Sequence, residues 1–256
     1  MQYIEKISPI IKKAGEIILG AKTINLEEKT NYQNLVTEFD KKVQAYLVKE
    51  LKSIYPEYGF LNEEDTNNNE LKEYNFIIDP IDGTTNFIHG LQFSAISIGI
   101  VQNQKVLAGL IYNPYNKELF TAELNHGAYL NNTPITISNR SFKEANIGFG
   151  ASPYNREYLS KTYQLVEKCM ETCRETRRFG TAALDLAYVA CGRFDGFFEF
   201  HLFPWDFAAG LLLIKEAGGI ITDFKGNDVD LYHPTTILAG NHNIHPQILS
   251  YLKAIL

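Results

Sequence analysis

The sequence predicts a mixed α/β layered fold on three observations. An amphipathic helical pattern opens the chain, alternating strands fill residues 93–130, and strands alternate with helices from 143 onward. Ile4, Ile7, Ile11, Ala14 and Ile18 recur at steps of three and four, one face of a first helix. Residues 21–36 are polar and rich in Asn, and read as an exposed, mobile loop. A second helix carries Val43, Leu47, Leu51 and Ile54 on one face, with Thr37 and Asp40 placed as a capping box.

Beyond Pro56 the pattern gives a short strand at 58–61, an acidic loop at 62–73 and a strand at 74–78. Residues 93–130 alternate apolar and polar, with turn residues at Asn103-Gln104, Asn113-Pro114 and Asn125-His126-Gly127, which predicts an antiparallel meander. Strands follow at 145–150, 194–200, 219–223 and 236–240, and helices at 156–173, 182–191, 205–217 and 245–255. No repeat or Pro/Gly/Ser linker interrupts the chain, so a single domain over 1–256 is expected, with a weak internal seam near 140.

The 256 residues are 45% hydrophobic and 21% charged, enough apolar material for a sizeable core. A formal charge of −6 disfavours a nucleic-acid binder that works by neutralising phosphates. Cys169, Cys173 and Cys191 complete no metal-binding spacing and are expected as reduced thiols. The charged N-terminus lacks the apolar run of a signal peptide, and no stretch is long enough to span a membrane, so a soluble cytoplasmic protein is expected.

Chemistry concentrates where strands end in acids. Asp79-Pro80-Ile81-Asp82-Gly83-Thr84-Thr85 follows the apolar Phe76-Ile77-Ile78. Proline disfavours helical geometry at the residue before it, and Gly83 permits a tight turn or a close ligand approach. Two carboxylates converging there repel unless protonated or bridged by cations, and hard cations such as Mg²⁺ take oxygen ligands and attract phosphate. A plain turn would use the same residues, with Asp79 accepting backbone bonds and Asp82 capping a helix. Glu63-Glu64-Asp65 follows another short strand, either as a solvated acidic run or as part of the same site. Asp206 opens an apolar helix beside the single Trp of the chain, and Glu199 closes the run Phe197-Phe198-Glu199-Phe200. Four segments delivering acids at strand-to-loop boundaries point to a multi-carboxylate metal site.

These residues resemble the inositol monophosphatase family. Asp79 to Phe87 matches its first motif, Trp205-Asp206-Phe207-Ala208-Ala209-Gly210 its second, Glu63-Glu64 its upstream acidic pair, and Leu35-Val36-Thr37 with Asp40 the segment before that. Order and spacing agree over nearly the whole chain. The resemblance implies a five-layer α-β-α-β-α sandwich of the sugar-phosphatase type that hydrolyses a phosphate monoester. It also implies two or three Mg²⁺ ions: Glu63, Asp79 and the Ile81 carbonyl for one, Asp79, Asp82 and Asp206 for another, Glu63 sharing a third. Thr84, bonded to Asp40, would position and deprotonate the attacking water, with Glu63 beside them in the catalytic set. The Gly83 and Thr84 N–H groups would cradle phosphate. Glu199 and the Gly180-Thr181-Ala182 turn would meet the leaving alcohol, with Lys29 arriving from the mobile loop. A homodimer and lithium sensitivity are implied in the same way.

Asn34, Phe39 and Asn62 depart from the family pattern without removing a ligand. His89, His126, His201 and His242 lack metal-ligand spacing and read as structural or surface residues. Arg177-Arg178 can meet a second phosphate, a salt-bridged edge or a subunit, and Asp185 reads as a residue that caps or orients its helix. The expected activity is inositol-1-monophosphatase. Fructose-1,6-bisphosphatase, 3′(2′),5′-bisphosphate nucleotidase and histidinol phosphatase are the sister activities, and Thr85-Asn86 favours the inositol-type branch. A different class stands beside these: a regulatory protein that keeps the fold and binds a protein or RNA partner on its outer surface.

Overall fold

The computed structural model of the chain describes residues 2–21, 26–28, 35–64, 71–153 and 155–256. Among them, seven α-helices and two main sheets alternate in five layers. The first layer is α1 (Gln2–Leu19) with α2 (Glu38–Ile54). Between these helices, β1 (Leu26–Glu28) and β2 (Leu35–Thr37) pair antiparallel, inside the stretch the sequence suggests is loop. Local composition missed this pair because three-residue strands are too short to show a period.

The second layer is a seven-stranded sheet running β3 (Gly59–Asn62), β4 (Tyr74–Asp82), β5 (Ala95–Gln102), β6 (Lys105–Asn113), β7 (Glu118–Glu123), β8 (Ala128–Leu130) and β9 (Thr133–Ile135). β3 and β4 are parallel, and every later pair is antiparallel, as the meander pattern predicts. The five-layer stack continues with α5 (Ala182–Ala190) and α6 (Pro204–Glu216). The fourth layer holds β10 (Asn146–Phe149), β11 (Glu175–Arg177), β12 (Gly196–Leu202), β13 (Ile220–Thr222) and β14 (Thr235–Gly240), in the order β11-β10-β12-β14-β13. The last layer is α4 (Leu159–Met170) and α7 (Ile244–Ile255). A short α3 (Thr84–Ile88) follows β4.

Strand parity assigns side chains to these layers. Phe76 and Ile78 enter the core with α1 and α2, whereas Ile77 enters the core with α5 and α6. In the second sheet Phe197 faces α5 and α6, and its neighbour Phe198 faces α4 and α7. Successive strand side chains point to opposite faces, so a sheet buried on both sides needs apolar residues at every position. That is why β4 and β12 read as continuous apolar runs. α5 and α6 are apolar nearly all round because they lie between two sheets.

Two boundaries differ from the sequence reading in a way that matters for the site. β4 does not stop at 78: it runs through the Asp-Pro step to Asp82. Glu199 is not at a strand end but inside β12, next to an irregularity between Glu199 and Leu202. The predicted helix at 156–173 is a short 3₁₀ turn at 156–158 followed by α4. No helix among the described residues is long and apolar enough to cross a membrane, and the three cysteines are free thiols. Burial pushes the Cys169 thiol up to about 12.

Candidate metal and phosphate site

Asp79 and Asp82 reach one site through a break in strand parity. Ile77 and Asp79 lie on the α5/α6 side of β4, and regular alternation would put residue 81 there too and turn Asp82 away. Instead three steps on β4, from Asp79 to Asp82, oppose two steps on β5, from Ser97 to Ala95. This extra residue is a bulge. Ile81 consequently packs in the α1/α2 core, fully buried, and Asp82 faces α5. Pro80, which has no N–H to lose, sits inside the irregular segment. The Ile81 N–H donates to Asp79 Oδ1 at 2.9 Å, fixing that carboxylate.

The third acid arrives from α6. Asp206 occupies the N3 position and accepts from the Phe203 N–H at 2.8 Å, so the helix start holds its carboxylate in place. Asp79, Asp82 and Asp206 each offer a carboxylate oxygen, and these oxygens lie within 4.8 Å of one another. Asp79 and Asp82 are buried and Asp206 is half-buried. Glu63 follows β3, whose parallel pairing with β4 brings the strand ends together. Its N–H donates to the Ile78 carbonyl at 3.2 Å, and its carboxylate charge acts on Asp79.

The electrostatics are those of like charges removed from water. Burial first, then repulsion by Glu63, Asp82 and Asp206, raises Asp79 well above the usual carboxylate range. Burial and the neighbouring acids raise Asp206 likewise. Burial raises Asp82 to about 7, against the pull of hydrogen bonds from Thr181 and Ala183. An all-oxygen set of acids, expensive to ionise together, fits a hard divalent cation, which relieves both the repulsion and the lost hydration.

Beside the acids stands a hydroxyl. Thr84 Oγ1 lies 3.1 Å from the Ile81 carbonyl and 3.3 Å from Asp40 Oδ1. Asp40 is itself fully buried, with Oδ2 accepting the Thr37 N–H at 2.8 Å and the Thr37 hydroxyl at 2.5 Å. The predicted capping box is present, and it shapes the site as well as starting α2. Gly83 is the N-cap of α3 at φ 86°, where a β-carbon would approach that of Thr181 to 3.2 Å.

On the opposite side, Gly180 (φ 77°) turns the chain into α5. The Thr181 hydroxyl donates to Asp82 Oδ2, and the Ala183 N–H donates to the same oxygen at 2.7 Å. Ala182 is buried next to them. The Thr181 side chain is therefore engaged with a site acid, a partnership the sequence did not suggest. Glu199 accepts from the Ser152 N–H at 2.8 Å, and Gly150 lies so close that a β-carbon there would collide with the Glu199 carboxylate. Burial raises Glu199 to about 7, eased by Ser152 and by the Arg178 charge.

Sequence reasoning also missed Asn86 as a tie: its Nδ2 donates to the carbonyls of Phe93 (2.8 Å) and Phe179 (2.7 Å), joining α3 to the turn before α5. Its place inside the first motif was the available signal. Asp185 is not the cap of α5, a position held by Thr181; it is 1% exposed with Oδ1 unbonded. Lys29, Asn34 and Asp65 lie outside the described residues.

The comparisons agree with this geometry. The profile of the inositol monophosphatase family matches residues 2–256. Inositol-1-monophosphatase of Mesorhizobium japonicum is 40% identical over 220 residues, covering 85% of this chain and 82% of the relative. Fructose-1,6-bisphosphatase/inositol-1-monophosphatase of Thermotoga maritima is 34% identical over 248 residues, covering 96% and 94%. The crystal structure of extragenic suppressor protein suhB from Bartonella henselae superposes with a TM-score of 0.90 at 36% identity, covering 99% of each chain. Fold, carboxylate site and relatives define a phosphomonoesterase. The chain belongs to the inositol monophosphatase family of metal-dependent phosphatases.

Proposed function

We propose that the chain is a Mg²⁺-dependent inositol-1-monophosphatase, acting as one domain over 1–256. The observation that carries this reading is the convergence of Asp79, Asp82 and Asp206 within 4.8 Å, beside the Thr84–Asp40 pair. Glu63, Asp79, Asp82, Asp206 and the Ile81 carbonyl would hold two or three Mg²⁺ ions, which supply charge neutralisation and Lewis-acid activation when bound.

The chain's own groups account for the rest. Thr84 Oγ1 donates toward Asp40 Oδ1, leaving its lone pairs to accept a proton from a water placed against it. As that water's proton passes to Thr84 Oγ1, the Thr84 proton moves to Asp40 Oδ1 and neutralises that carboxylate, whose other oxygen stays hydrogen-bonded to the two Thr37 donors. N–H groups of Gly83 and Thr84 take phosphate oxygens. Glu199, Gly180, Thr181 and Ala182 line the leaving-group side, where Glu199 accepts from a polyol hydroxyl. Homodimerisation and inhibition by lithium belong to the same reading, supported by family membership.

The test is phosphate release from a panel of phosphomonoesters, with Mg²⁺ and with EDTA. Release of phosphate from myo-inositol phosphate that EDTA abolishes and that Asp79→Asn lowers by at least about a thousandfold is expected. Turnover that survives chelation would sink the metal reading. No turnover of any ester with Mg²⁺ would favour the binding-protein alternative.

A further inference from the structure

A cavity of 590 Å³ opens away from the acids, toward the far end of α6, on a floor of Val106, Leu124, Leu211, Leu212, Val229 and Leu231. Five of these side chains are buried, and Leu124, at the edge, is half-buried. Leu211 and Leu212 follow Asp206 on the same helix, so the cavity starts about 8 Å along the axis from that acid. Hydrogen bonds fix both walls. On one side Gln104, in the turn between β5 and β6, accepts from the Leu231 N–H at 2.9 Å and donates to Asp230 Oδ1 at 3.1 Å. On the other, Glu216 at the end of α6 accepts from the Asn125 and Gly127 N–H groups at 2.8 and 2.7 Å. The Leu124 N–H donates to the Leu107 carbonyl at 2.9 Å. The cleft is therefore built into the fold, and its size is that of small-molecule sites.

The rim carries two acids and two lysines, and the acids are already engaged. Asp230 Oδ1 accepts from Gln104 and from the Tyr232 N–H at 2.9 Å, and its Oδ2 meets His233 Nδ1 at 2.8 Å. Asp228 pairs with Lys215 at 3.3 Å from a side chain that is 93% exposed. Lys105 is exposed and makes no hydrogen bond or ion pair to a described residue. An apolar floor with one uncommitted ammonium at its lip complements a molecule with a hydrocarbon body and one negative end. Burying the body removes apolar surface from water, and the charged end meets Lys105.

We propose that this cleft is a ligand site separate from the catalytic one, which takes a small apolar carboxylate. Its hydrocarbon body lies on Leu211, Leu212 and Val229, and its carboxylate meets Lys105. This stands independently of the phosphatase reading.

The probe is 1-naphthoate, titrated into the Mg²⁺-loaded protein and followed by saturation-transfer NMR and thermal melting. Wild type binds it with a Kd of about 1 mM or tighter and melts higher as the probe is added. Lys105→Glu weakens binding at least about tenfold. Leu124→Trp, which fills the cleft from its half-buried edge, abolishes it. Both variants keep the wild-type circular dichroism and a cooperative melt, so lost binding is not lost folding. 1-Naphthalenemethanol, the same body without the charge, binds at least about fivefold more weakly. An alcohol that binds as tightly as the carboxylate overturns the proposal, and so does 1-naphthylmethylamine binding more tightly, since the rim acids would then set the sign. Binding that neither variant changes places the probe elsewhere and overturns it too, as does the absence of binding at about 10 mM.

Discussion

The Ala183 N–H donates to Asp82 Oδ2 at 2.7 Å, across 101 residues of sequence. The Thr181 hydroxyl donates to the same oxygen, so the start of α5 fixes an acid delivered by β4. A strand of the first sheet and the helix start facing it thus meet on one carboxylate. Thr181→Val keeps the shape and removes one donor, leaving a buried oxygen short of a bond. We expect a loss of about 1–3 kcal/mol of stability in chemical denaturation, with Thr181→Ser near wild type. Equal stability of the Val and wild-type proteins would show that the bond carries no weight.

The buried acids give the metal-free protein a defined pH dependence. Burial raises Asp82 from its ordinary 3.8 to about 7 and Glu199 from 4.5 to about 7. A carboxyl with a raised folded value binds its proton more tightly when folded. Its contribution is therefore full below the unfolded value, about 4, and is lost as pH rises through about 7. Melting of the EDTA-treated protein between pH 4 and 8 checks this against Asp82→Asn, which lacks the Asp82 part. The wild type should lose ground to the variant across that window, and the gap should level off above it. Saturating Mg²⁺ should reverse the order, since only a folded cage with its acids intact gains from binding. Parallel curves without metal would refute the assignment.

Much of this site could be read from sequence because its acids sit in unbroken local motifs. Asp79-Pro80-Ile81-Asp82-Gly83-Thr84 and Trp205-Asp206 declare carboxylates beside turn residues, and Thr37 with Asp40 declares a helix start. The bulge was not legible. Asp-Pro looks like the end of a strand by local preference, whereas pairing with β5 carries β4 past residue 78 to Asp82. Likewise Phe197-Phe198-Glu199-Phe200 suggests an acid at a strand end, and only burial on both faces shows it to be interior. The partners of Glu199 and Asp82, Ser152 and Thr181, lie 47 and 99 residues away. No periodicity encodes such pairings; they follow from topology. β11 was missed because Glu175–Arg177 is three polar or charged residues with no apolar alternation.

Gly150 is a steric condition on the leaving-group side. A β-carbon there would collide with the Glu199 carboxylate, which is buried and held by the Ser152 N–H at 2.8 Å. Gly150→Ala should swing Glu199 out of place while leaving the metal acids on β4 and α6 in theirs. The expected result is a loss in kcat/KM of about tenfold more on myo-inositol 1-phosphate than on p-nitrophenyl phosphate, whose leaving group has no polyol hydroxyl to present to Glu199. An equal loss on both esters would mean that Glu199 does not read the leaving group.

Thr84 offers the sharpest separation of chemistry from binding. Its hydroxyl lies between the Ile81 carbonyl at 3.1 Å and Asp40 Oδ1 at 3.3 Å, two acceptors competing for a single proton. That leaves its oxygen lone pairs turned to whatever donates from the site. Thr84→Val preserves volume and removes both donor and acceptor, whereas Thr84→Ser preserves the relay and loses only a methyl. If the hydroxyl passes a proton from water to Asp40, the Val variant should lose about 10²–10⁴-fold in kcat with little change in KM. The Ser variant should recover most of that activity. Thermal stabilisation by Mg²⁺ should persist in both, because the carboxylates that bind the ion are untouched. A Val variant with wild-type kcat would remove Thr84 from the reaction, and one that loses its Mg²⁺ stabilisation would place the hydroxyl in the cage instead.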